Sequence, residues 1–248
     1  MGQVWVHAAL AVAERFLIEL AVGPRTLEMA AALVASVALA AGAQAVPPLF
    51  LIDNHLPYPM AILLVYGEVC HRRRLHGRGR KKLPGLKPPP GLLAAVVHKE
   101  RDARGNLLGV RSRRLFGRLR DAVRRVVELG IGTKVNTAHL ERCNGTIRSQ
   151  QARLIRRTHG LSRLVGLLEA SLHLWRDVYN WTRVHASLAG RTPAMALGLT
   201  DRVWSVRDYV RHPVHVSDLQ QTIWTEERQE VLTSALEPHK RRKRLPTS

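Results

Sequence analysis

The chain has 248 residues, room for one large domain or two small ones and enough to bury a real core. Hydrophobic residues make up 46% and charged residues 23%, ordinary for a globular protein, but 39 Lys and Arg against 19 Asp and Glu leave a net charge of +20. That excess excludes an acidic disordered chain and makes a polyanion the first partner to consider. Two cysteines, Cys70 and Cys143, with no CxxC spacing, exclude a disulfide framework and a cysteine-rich zinc site, so the expected compartment is the reducing cytoplasm.

The charge is divided unevenly. Residues 1–70 hold two basic residues, Arg15 and Arg25, and five acidic ones; residues 71–248 hold the other 37 basic and 14 acidic residues. A folded core joined to nucleic-acid-binding surfaces fits this asymmetry better than charge spread for solubility. The uncharged run from Met29 to Val46 is mostly alanine and is closed by Pro47 and Pro48. Alanine contributes little insertion energy, so a helix buried in a soluble protein is expected rather than a membrane span. The opening MGQVWVHAAL lacks the positive region of a signal peptide.

In chain order, Val4–Leu10 and Phe16–Val22 read as two strands of a hairpin, rich in β-branched and aromatic residues. Thr26 caps a helix with Glu28 in its first turn, running to about Ala41. Leu49–Ile52 is a wholly apolar run that fits a central parallel strand, ending in Asp53, and a helix follows from about Pro59 to Glu68. Residues 71–90 carry eight basic residues, no acid and a proline cluster that argues against regular structure. Val96–Arg101 and Leu107–Arg114 read as weaker strands joined by an Arg-Gly-Asn turn at 104–106, and 115–129 as a basic helix. A helix from Asn136 through Arg157 carries Glu141, Asn144, Arg148 and Gln151 on one face. A second, from Ser162 to about His185, carries a core stripe of Leu164, Leu168, Leu172, Trp175 and Tyr179, and Pro193 opens a short third. Strand, strand, helix, buried strand and helix define an α/β fold, in which chemistry gathers at the carboxyl ends of strands, where Asp53 stands.

No Walker loop, strand-linked GxGxxG, GxSxG or HExxH occurs, and no histidine pairs at metal-ligand spacing. Carboxylates in a basic setting remain. Asp53 at a strand end and Glu141 on a basic helix could hold Mg²⁺ with water kept for reaction, a pair of such ions serving phosphodiester chemistry. They could equally be an N-cap aspartate and a solvated helical glutamate; spacing leaves both readings open.

Longer motifs add a resemblance. The segment VNTAHLERCNGTIR and the trailer YNWTRVHASLAGRTPAMALGL resemble the end of the integrase-type core of bacterial insertion-sequence transposases. The first holds Glu141, Arg142, Asn144 and Arg148 in an ERxNxxxR pattern, and the second holds Tyr179, Asn180, Arg183, His185, Ser187, Leu188, Thr192, Pro193 and Ala194. Val184 stands where the family has proline. The resemblance implies an RNase H-like mixed sheet flanked by helices and an Asp-Asp-Glu site for Mg²⁺ or Mn²⁺, with Asp53 second and Glu141 third. The first acid maps to Ala11, so metal binding and cleavage are expected to suffer severely. No zinc ribbon or helix-turn-helix precedes the first strand, and the expectation is a truncated or decayed transposase.

The expected organisation is an RNase H-like core at 1–160 with a basic Pro/Gly-rich loop at 71–92, a helical extension at 161–210 and a polar tail at 211–248. The expected partner is DNA, both transposon ends and target, held by a homo-oligomer through Arg72, Arg73, Arg74, Arg78, Arg80, Lys81, Lys82, Arg148 and Arg153. The expected function is strand cleavage and joining in transposition or, against it, non-catalytic nucleic-acid binding or inhibition of transposition.

Overall fold

A computed structural model describes residues 4–42, 46–70, 85–154 and 164–212. The chain is a mixed α/β protein. Strands β1 (Trp5–Ala11) and β2 (Phe16–Gly23) form the expected antiparallel hairpin. Ala9 opposes Glu19 and Leu10 opposes Leu17, so Ile18 is an extra, unpaired residue. This bulge reverses the alternation of β2, which is why Leu17, Leu20 and Val22 all point into one core despite their odd spacing.

Helix α1 (Leu27–Ala41) starts where the Thr26 hydroxyl accepts the Met29 amide at 3.4 Å and stops at Gly42, which adopts φ +64°. Strand β3 (Phe50–Asp53) pairs in parallel with β6 (Ala94–Arg101), which pairs antiparallel with β7 (Leu107–Phe116). The apolar run is therefore parallel, as expected, but among the described residues it is the edge of a three-stranded sheet with β6 in the middle. An unbroken apolar run reports burial of both faces, not position in the strand order. Both faces are indeed covered: Phe50 and Ala94 pack under α1 and α2 (Pro57–Tyr66), and Ala95 and Val97 pack with Ala122 and Val126 of α3 (Leu119–Glu128).

Helix α2 ends before Glu68 because Gly67 turns the chain, its N–H donating to Leu63 O at 2.8 Å; a Cβ there would lie 2.3 Å from that oxygen. Glu68–Cys70 is instead strand β4, antiparallel to β5 (Gly85–Lys87), with Glu68 and Lys87 paired at 2.9 Å. Part of the segment expected to be irregular is thus a strand, since its flank supplies a partner ladder.

Helix α4 (Ala138–Gln150) stops earlier than expected; Gln151 is extended and residues 152–154 make a 3-10 turn. The cause is tertiary: Gln150 accepts bonds from Trp175 Nε1 at 3.0 Å and Arg183 at 3.2 Å, and the Gln151 side chain donates through Nε2 to Ser171 O at 3.5 Å. Helix α5 (Val165–Trp181) presents Leu172 and Tyr179, with Leu168 and Trp175 at their margin, to the hairpin core. Leu164 lies outside the helix, 63% exposed, so the core stripe is one residue shorter than the spacing predicts. The segment expected as a C-terminal extension therefore packs directly on the first two strands. Short helices α6 (Pro193–Ala196) and α7 (Val206–Arg211) complete the described fold, in which no helix is long and apolar enough to cross a membrane.

Candidate functional site at the end of strand β3

Asp53 closes β3 and is exposed, its Oδ1 accepting the His55 amide at 3.3 Å in a tight turn. In the ladder Asp53 lies opposite Val97, so alternation puts it on the sheet face of Leu51 and Val97, the face beneath α3. Two residues further along β6, on that same face, Lys99 forms an ion pair with the Glu141 carboxylate. Glu141 lies in the first turn of α4, where the helix dipole favours a carboxylate, and accepts the Thr137 hydroxyl at 2.7 Å. Lys99 thus links Glu141 to the strand beside Asp53, and the two carboxylates belong to one side of the sheet.

The wall beyond Asp53 is built by the hairpin. Val6, Ala8 and Leu10 face the hairpin core, so His7, Ala9 and Ala11 share the opposite face of β1. His7 is buried, its Nε2 lies 3.2 Å from Pro24 O, and its ring centroid is 6.1 Å from that of His55. Burial holds both imidazoles below the usual histidine pKa; the Arg25 guanidinium lowers them further, while Asp53 opposes the shift. Arg25 itself lies over the Trp5 ring at 4.7 Å. Burial, helped by the Asp53 charge, also pushes the Tyr58 phenol up to about 12. At neutral pH the surroundings of Asp53 are therefore two neutral imidazoles, a neutral phenol and one guanidinium.

As they stand, these donors do not make a centre for a pair of divalent ions. Ala11 offers a methyl group where the resemblance needs an oxygen, and Glu141 already holds an ammonium and a hydroxyl. Among the described residues no group of three His, Cys, Asp or Glu side chains could hold a metal ion.

Arg148 lies seven residues after Glu141 on α4, on the same exposed face and about 10 Å along the axis by helical rise. Arg153 is not on that helix but in the 3-10 turn beyond it. Arg72, Arg73, Arg74, Arg78, Arg80, Lys81 and Lys82 lie outside the described residues, as do Arg156, Arg157 and the tail from residue 213 on, whereas Arg211, expected to open the tail, ends helix α7. Sequence reasoning missed Lys99, His7, His55 and Arg25. The signal for His7 was available, since alternation along β1 already groups it with Ala11; nothing local marks Lys99, whose partner is 42 residues away.

The trailer motif has a separate place. Asn180 is 1% exposed and bonds both ways to one backbone residue: Leu17 N donates to its Oδ1 at 2.9 Å, and its Nδ2 donates to Leu17 O at 2.8 Å. Arg183 reaches Gln150, and the His185 ring lies edge-on to Tyr179 with centroids 4.9 Å apart. Buried Thr192 caps α6 through Met195 N at 3.2 Å. These residues brace α4, α5 and α6 against the hairpin.

Comparison with family models, with curated proteins and with solved structures gives no match for the chain.

Proposed function

We propose that this protein is a DNA-binding protein of the Asp-Asp-Glu transposase class with an RNase H-like core, and that as it stands it holds DNA without cutting it. One observation carries the reading: Glu141 is tied through Lys99 to the strand beside Asp53, on the sheet face to which alternation assigns Asp53. Two carboxylates from distant parts of the chain thereby belong to one side of the sheet, which supports the pairing that the ERxNxxxR helix and the apolar strand imply. The order hairpin, helix, parallel strand ending in a carboxylate, helix supports the same class. Ala11 and the Lys99 ammonium are the reasons for silence: one removes an oxygen ligand, and the other occupies a remaining one. The net charge of +20 then supplies affinity for phosphate independently of any metal.

The test has two arms. Fluorescence anisotropy with a labelled duplex should show tight, salt-sensitive binding. Incubation with supercoiled plasmid and Mg²⁺ or Mn²⁺ should give no nicked product, whereas Ala11→Asp should gain nicking that Asp53→Asn abolishes. Absence of duplex binding overturns the reading. Nicking by the unaltered chain that disappears in Asp53→Asn overturns the claim of silence.

A further inference from the structure

Strand β3 pairs with β6 only as far as Val97, but β6 and β7 stay paired from His98 opposite Arg111 to Arg101 opposite Leu107. Beyond the end of β3 the sheet therefore continues as a free two-stranded ribbon. It rises from the strand end that carries Asp53, with Lys99 at its base. The tip is held by Asp102, which accepts the amides of Arg104 at 2.9 Å and Asn106 at 2.7 Å and the Asn106 side chain at 2.9 Å. These bonds to the charged carboxylate keep its pKa below the usual range.

The charges on this element are unevenly matched. Arg111 is paired with Glu100 at 3.0 Å, but Arg104 at the tip and Arg113 and Arg114 on the outer strand have no carboxylate partner among the described residues and are exposed. Leu108 is the extra residue at the bulge opposite Glu100 and Arg101 and is 70% exposed. Val110, paired with Lys99, is 48% exposed. A ribbon kept only for solubility has no use for these apolar positions.

We propose that the ribbon and the outer edge of β7 form a docking surface for duplex DNA, on which Arg104, Arg113 and Arg114 each hold a phosphate; the proposal rests on the DNA-binding reading above. A two-stranded ribbon is one of the shapes that the major groove admits. From the tip to the register of Arg113 is five residues of β6, about 17 Å, matching about five phosphate steps at 3.4 Å. Leu108 and Val110 then meet deoxyribose and thymine methyl groups rather than water. Bound in this way, the duplex runs past the carboxyl end of β3.

The experiment measures the anisotropy of the full chain on a labelled duplex between 50 and 200 mM salt. Three proteins are compared: the unaltered chain, the triple variant Arg104→Gln/Arg113→Gln/Arg114→Gln, and a control of equal charge loss, Arg202→Gln/Arg207→Gln/Arg211→Gln. Each phosphate contact contributes about 0.9 to the slope of log K against log salt, so the ribbon variant should lose about 2.7 from the slope. Across that range the unaltered chain should weaken about fortyfold more than the ribbon variant, and the control should follow the unaltered chain. The single variant Arg104→Gln, altered only in a turn outside the sheet, should lose about 0.9. Failure of the unaltered chain to bind overturns the functional reading. Binding with ribbon and control variants of equal slope overturns the ribbon and leaves that reading standing.

Discussion

Replacing Asn180 by alanine should be among the most damaging single changes in this protein, although no reaction passes through it. Its amide acts as a short extra strand against β2, engaging both backbone polar groups of Leu17, which is itself fully buried. Alanine leaves a buried N–H and a buried C=O without these partners, at about 1–3 kcal/mol each. Because the two losses share one site they are not strictly additive, and about 2–5 kcal/mol is expected in total. Against a typical stability of about 5–15 kcal/mol that is a large fraction. Urea denaturation followed by circular dichroism measures it directly. Asn180→Asp sharpens the test. Aspartate keeps the acceptor for Leu17 N but sets a charged oxygen against Leu17 O, so at neutral pH it should cost at least as much as alanine. Its deficit relative to the unaltered chain should shrink as pH falls, because a protonated carboxyl regains a donor. A loss below about 0.5 kcal/mol for Asn180→Ala, or a pH-independent deficit for Asn180→Asp, would refute the clamp.

Cys143 is buried and its thiol is pushed up to about 11, mainly by burial, whereas Cys70 is half-buried; iodoacetamide at neutral pH should label Cys70 in the native protein and Cys143 only after denaturation, and equal rates would contradict this packing. His7, His55 and His185 are each held below the ordinary histidine value of 6.5, chiefly by burial, so the fold favours their neutral forms. Their contribution is complete above about pH 6.5 and is lost as pH falls through the lowered values, so the urea midpoint should drop below pH 6.5 and His185→Gln should lessen that drop. The Lys99–Glu141 pair is partly exposed at both ends, so Lys99→Met should change stability by less than about 1 kcal/mol. In an Ala11→Asp background the same substitution should tighten Mn²⁺ binding by up to about fivefold, measured by calorimetry, because the ammonium no longer competes for Glu141.

The parts of the fold legible in the sequence are those that local chemistry decides. Thr26 as a cap, the alternation of β1 and the apolar run of β3 each carry their own signal, and the elements fall within a residue or two of it. The parts that were not legible depend on distant partners. Helix α4 ends at Gln150 because α5 draws Gln150 and Gln151 toward Trp175 and Ser171, contacts 20 to 25 residues away. Gly85–Lys87 becomes a strand because Glu68–Cys70 is beside it, in a segment whose prolines and charges argue against order. The position of β3 at the edge of its ladder was equally hidden, since helices covering both faces give an edge strand the composition of a central one. At the candidate site the carboxylates stood out by their settings, whereas Lys99 became visible only once β6 brought it to Glu141.

The trailer residues on which the resemblance to transposases leans hold elements of the fold together. Asn180 clamps β2, Arg183 ties α5 to the end of α4, Tyr179 and His185 pack edge to face, and Thr192 starts α6. Together they hold three helices on the hairpin whose first strand ends at Ala11. Loss of any of them removes a contact that these elements share. None of these contacts involves the Ala11 side chain. The trailer residues therefore carry packing in this architecture, whether or not a metal site stands beside them.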